Sequence, residues 1–98
     1  MKFLMLSKNK EDIDFAVEYS VWQTVNTFHS IKKGDVGFIK LVGKKDIYYL
    51  GIVESTKREP QLKWPGYDTE AAEPFTIRFK HISEDDFSKS QQAIRYEI

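Results

Sequence analysis

Cysteine is absent from the 98 residues, which removes disulfide scaffolds, thiolate zinc sites and cysteine nucleophiles in one step. Histidine is nearly so: His29 and His81 alone are too few for a histidine-rich metal site. No apolar run approaches the roughly 18 residues that cross a bilayer. The run from Phe3 to Leu6 is also too short for a signal-peptide core. Net charge is lacking too, with fifteen Lys and Arg against fifteen Asp and Glu. What is present is apolar and aromatic, 41% hydrophobic with 14% Phe, Trp and Tyr, well above the range of disordered chains. These features predict one soluble, cytoplasmic domain over residues 1–98. A domain of this size buries only about 60–65% of the surface that its unfolded chain exposes.

The zero balance hides a segregation of charge. Lys32, Lys33, Lys40, Lys44, Lys45, Lys57, Arg58 and Lys63 crowd the middle of the chain against Asp35, Asp46, Glu54 and Glu59. Acids gather elsewhere, at Glu11, Asp12, Asp14 and Glu18, at Asp68, Glu70 and Glu73, and at Glu84, Asp85 and Asp86. A polyanion would be drawn to the basic middle and kept off the rest. An ordinary solvated surface has the same look.

Residues 2–7 read as a short buried strand. Residues 11–20 place Ile13, Ala16 and Val17 at helical spacing behind a first turn of acids. A further turn or helix is expected over 25–31, ending at Gly34. Strands are predicted over 36–42 and 47–54, joined by a hairpin loop over 43–46. Gly37 and Gly51 lie inside them, where a missing side chain marks a bulge or a close approach. Residues 55–72 carry Pro60, Pro65 and Gly66 and read as a long irregular excursion. Phe75, Ile77 and Phe79 alternate with polar residues as a half-buried strand over 75–81. Ser83 then caps a short helix over 83–86 with Phe87 as its apolar contact, and 95–98 is a last edge strand. The fold class predicted is α+β, a curved mixed sheet or small β-barrel with short flanking helices.

Enzyme motifs are missing: no nucleophile elbow, P-loop, zinc-protease helix or dinucleotide fingerprint occurs. No catalytic residue, metal ligand or cofactor is predicted. The tryptophans say more. Trp22 sits among polar neighbours after the first helix, and Trp64 lies in the loop Leu62-Lys63-Trp64-Pro65-Gly66-Tyr67. Rings on such segments either stack on a nucleobase, at about 1–3 kcal/mol per base, or fold down as lids over a thin core.

The opening Lys2-Phe3-Leu4-Met5-Leu6-Ser7, then Lys8-Asn9-Lys10-Glu11-Asp12-Ile13 and Ser20-Val21-Trp22-Gln23-Thr24, resembles the start of a YTH domain, with ungapped spacing to the tryptophan. Trp64-Pro65-Gly66 falls where that family has a second tryptophan, and Phe75-Thr76-Ile77-Arg78-Phe79 is similar to its later strand. Ile31-Lys32-Lys33-Gly34-Asp35-Val36 is closer to the related EVE domains. Both belong to the PUA-like group of small barrels.

The resemblance implies a non-catalytic module that captures a flipped or unpaired, N6-methyladenine-like base in an aromatic cage. Trp22 and Trp64 would be its walls, facing each other across a solvent-open slot, with Tyr67 as a third. Ser7 and Gln23 would offer backbone groups to the base edge, beside Lys8 and Asn9. Lys8 stands where the family has a base-reading asparagine, with Asn9 one position later, and Ser20 replaces a glycine. Phosphates would meet Lys8, Lys32, Lys33, Lys44, Lys45, Lys57, Arg58 and Lys63. The EVE-like turn and the short chain favour a prokaryotic module and hence DNA over RNA. Such a module would serve as the recognition part of a modification-dependent restriction system, beside an effector domain or subunit. Two alternatives stand: an amidohydrolase resembling the PUA-like ASCH domains, using Thr24, Glu54 and a lysine, or a protein-interaction or oligomerisation module.

Overall fold

The computed structural model describes residues 1–25, 27–43, 47–66, 73–85 and 96–97. Lys44, Lys45 and Tyr67, most of the 43–46 loop, and Asp86 and Phe87 lie outside the described residues.

Strand β1 (Lys2–Ser7) leads into helix α1 (Lys10–Tyr19), and strands β2 (Val21–Thr24), β3 (Val36–Leu41), β4 (Tyr48–Arg58), β5 (Phe75–Asp85) and β6 (Tyr96–Glu97) follow. They form one mixed sheet in the order β2–β5–β4–β3–β1–β6. β1 runs parallel to β3 and β6, and the other pairings are antiparallel. The sheet curls into a half-barrel with α1 packed on it. No helix among the described residues is long and apolar enough to cross a membrane.

Close packing of aromatic rings explains the two strand glycines. Gly37 and Gly51 face each other across β3 and β4. A Cβ on Gly37 would lie 2.8 Å from the Phe3 ring, and one on Gly51 would lie 2.7 Å from the Phe79 ring. Both rings are buried, at 0% and 3% exposure. The β4–β5 register is irregular between Gly51 and Val53 and again before Ser55.

The helix begins at Lys10, one residue before the expected start, with Asn9 as its cap. The Asn9 side chain accepts from the Glu11 N–H at 2.8 Å, and Glu11 and Asp12 occupy the first turn. It ends at Ser20, which is left-handed at φ 53°, ψ 50°, its N–H bonded to the Ala16 carbonyl. Glycine adopts that conformation freely and serine does not. Replacing Ser20 with glycine is therefore expected to raise stability by up to about 1 kcal/mol, read as a higher urea midpoint at unchanged slope.

Three sequence expectations are corrected. Residues 83–85 are the end of β5, because Ser83, Glu84 and Asp85 pair with Leu50, Tyr49 and Tyr48; the ladder overrides a capping signal that is only local. Over 25–31, by contrast, the turn of the two expected alternatives is found, the Ile31 N–H meeting the Phe28 carbonyl at 3.2 Å. Trp22 lies in an edge strand, and β4 runs on to Arg58, taking the start of the expected excursion into the sheet.

The turn before β3 is a clasp. The Asp35 carboxylate accepts from the Lys32 N–H at 2.8 Å and from the Met1 ammonium at 2.9 Å. The Gly34 N–H and the Asp35 carbonyl bond the Val53 carbonyl and N–H, both at 2.8 Å. Burial pushes the Asp35 carboxyl upward, but the Lys32 N–H and the ammonium outweigh it and hold it below the ordinary carboxylate range. A lowered folded value contributes stability above the unfolded value near 4, lost as pH falls through the folded one. Asp35→Asn is expected to weaken the fold at pH 7 and to flatten the acid limb of a stability–pH curve measured by urea unfolding.

Candidate functional site

Gln23 organises the loop that follows β4. Its side-chain nitrogen donates to the Pro60 carbonyl at 3.1 Å and to the Thr76 hydroxyl at 2.9 Å. Its side-chain oxygen accepts from the Leu62 N–H and from the Trp64 indole N–H, both at 2.9 Å. Every donor and acceptor of that buried amide is thus spent. Asp12, on α1 and also buried, takes the Gly66 N–H at 2.8 Å. Gly66 comes so close that a Cβ there would overlap the Asp12 carboxylate and the Asn9 amide. Two polar side chains from the first quarter of the chain thereby pin residues 60–66 over β2 and α1.

Trp64 fills the space under this loop at 5% exposure. Its ring lies 4.4 Å from that of Phe15 at 41°, and 5.6 Å from that of Trp22 at 71°. The two indoles therefore meet, but edge to face, and this corrects the expectation of facing walls across a slot. A base between two parallel rings needs about 7 Å, twice the ~3.5 Å contact distance. The tether to Gln23 and the packing on Phe15 turn Trp64 away from that pose. Trp22 is half-buried, and its indole N–H has no hydrogen-bond partner among the described residues.

Beside the indole pair lies an open cavity of about 290 Å³ between the end of β1 and β2, near the lower end of ligand-site volumes of roughly 300–1,000 Å³. Ser7, Lys8, Asn9, Trp22, Gln23 and Trp64 all line it, so each described residue of the expected base site reaches the same space. Their capacities differ. The Ser7 hydroxyl is committed to the Asn9 backbone, at 3.1 Å and 3.2 Å, and the Asn9 oxygen caps α1. Gln23 can offer only its backbone. Trp22 supplies apolar surface and an indole donor, Lys8 supplies donors, and Asp12 supplies acceptors.

Leu6, Asp12 and Gly66 complete the wall and went unrecognised in the sequence. An acid in the first turn of a helix reads as dipole complementarity, and only the return of the loop at Gly66 shows that Asp12 has a second duty.

The basic residues divide. Lys8 lines this cavity, whereas Lys57 and Arg58 line another. Lys32 and Lys33 belong to the turn beside Met1, at the opposite end of β1 from Ser7 and about 17 Å away along the strand. Lys63 is exposed and adjoins Trp64 without lining either cavity. Arg58 also holds the loop's far end, donating to the Glu73 carbonyl at 2.8 Å and to the Thr27 hydroxyl. Nearby, Arg78 grips Glu59 through two bonds of 3.0 Å and 3.2 Å. That guanidinium holds the Glu59 carboxyl below its ordinary range.

The register separates the residues of the amidohydrolase alternative. Thr24 is level with Phe75 and Arg58, whereas Glu54 is exposed at the bulge, about 13 Å back along β4. No protein-family model and no curated protein matches the chain.

Proposed function

We propose that this domain is a non-catalytic nucleic-acid reader of the PUA-like, YTH/EVE type. It receives a flipped or unpaired, methyl-modified base in the cavity between the end of β1 and β2. The observation that carries this reading is convergence: six residues nominated from three separate stretches of sequence line one space of about 290 Å³. The base lies against Trp22, and Trp64, edge to face with it, borders the same space instead of forming a parallel second face. Lys8, Asp12 and the backbone at Ser7 and Gln23 meet its polar edge. This mixture of one aromatic surface and a few placed polar groups is what a site for a planar heterocycle needs.

Apolar contact with one methyl group discriminates by roughly 10–200-fold. Extracting the base from a duplex costs a few kcal/mol, least at a weakened pair. Single-stranded DNA is therefore the ligand to test first. On this reading the domain directs an effector to modified DNA.

The test is a tryptophan-fluorescence titration with matched single-stranded DNA oligonucleotides, with and without one N6-methyladenine. Tighter binding of the methylated strand by tenfold or more supports the reading. Equal affinity reduces the domain to a general binder, and no response at low salt overturns it.

A further inference from the structure

A second open cavity, of about 390 Å³, lies between residues 27–31 and the end of β4. Phe28, Ile31 and Phe75 give it an apolar floor, and His29, Lys57 and Arg58 give it a basic rim. Thr27 and Thr56 add hydroxyls, and among the described residues no carboxylate lines it. Of the described basic residues of the middle segment, Lys57 and Arg58 line this cavity and none lines the first. Arg58 keeps guanidinium donors beyond the two bonds that it makes.

The two cavities are linked by the sheet. Trp22 of the first pairs with Ile77, and Ile77 pairs with Thr56 of the second. Two strand spacings separate them, on the order of 10 Å, which an adjacent nucleotide of an extended strand can reach.

We infer that the second cavity is a nucleotide subsite, holding a backbone phosphate of the bound strand on Lys57, Arg58 and His29 and its sugar or base against Phe28 and Phe75. This rests on the base-reading function proposed above and specifies its ligand: an oligonucleotide, not a free modified nucleotide. A phosphate there meets a basic rim over an apolar floor, the combination with which single strands are bound. A free phosphomonoester that fills the first cavity does not reach the second.

The test compares N6-methyl-dAMP with a short single-stranded DNA carrying one N6-methyladenine, on the whole chain, with Lys57→Ala and His29→Ala as variants. Both side chains are exposed and neither makes a hydrogen bond among the described residues, whereas Arg58→Ala would also release the loop. The oligonucleotide is expected to bind at least tenfold more tightly than the mononucleotide. Lys57→Ala should weaken the oligonucleotide several-fold, reduce its log–log salt slope by about 0.7, and leave the mononucleotide unchanged. An oligonucleotide that quenches Trp22 fluorescence while both variants keep the wild-type affinity and slope overturns the subsite alone. Failure of both ligands to bind the wild type overturns the subsite together with the base-reading function.

Discussion

Gln23→Leu is expected to destabilise the domain by about 3–5 kcal/mol. Leucine nearly preserves the volume and removes the amide. The Trp64 indole N–H, the Leu62 N–H, the Thr76 hydroxyl and the Pro60 carbonyl all lose their shared partner. Each buried group left unsatisfied costs about 1–3 kcal/mol, and some of that loss is recovered as the loop shifts toward water. For a domain of this size the total is a large share of a stability of ~5–15 kcal/mol. Urea unfolding followed by circular dichroism reads the effect. A red-shifted tryptophan emission should accompany it, since Trp64 loses both its tether and its burial. A loss below 1 kcal/mol would show that the loop is held mainly by Phe15 and Asp12.

Trp22→Ala should instead spare most of the stability and remove binding. Trp22 is half-buried at the edge of the sheet, and its partners Ile77 and Trp64 keep their other contacts. Loss of one stacked base is worth about 1–3 kcal/mol, a fall in affinity of roughly 5–150-fold. Part of that fall is specific to the methyl group, so the ratio of methylated to unmethylated affinities should drop toward one. Trp22→Phe keeps an aromatic face and should recover much of the affinity. The contrast with Gln23→Leu separates a ring that touches ligand from an amide that positions another ring.

The sequence made the local features legible. Residues 2–7 are a strand, and a helix follows with Glu11 and Asp12 in its first turn, as their short-range patterns require. Gly37 and Gly51 sit where a ring approaches the backbone. It was blind where distant segments decide the outcome. Ser83 has the local signature of a helix cap, yet its pairing with Leu50 makes it strand. Val21–Thr24 is too short a run to declare itself, and it is β5 that makes it β2. Within the site, it was the resemblance to a known family that pointed to one place, and Ser7, Lys8, Asn9, Trp22, Gln23 and Trp64 do gather there. Their division of labour did not show. That Gln23 spends its amide on Trp64, or that Asp12 receives Gly66, depends on a loop returning forty or more residues later.

The most direct measurement uses the two indole N–H resonances of the wild-type protein, one for each tryptophan. Trp64 donates to Gln23, whereas Trp22 has no partner among the described residues. Titrating single-stranded DNA that carries N6-methyladenine into labelled protein should shift the Trp22 indole signal strongly, together with the backbone amides of Lys8 and Asn9. The Trp64 indole signal should move little. Shifts confined to other faces of the sheet, with the Trp22 indole unmoved at saturation, would contradict a base bound beside β2.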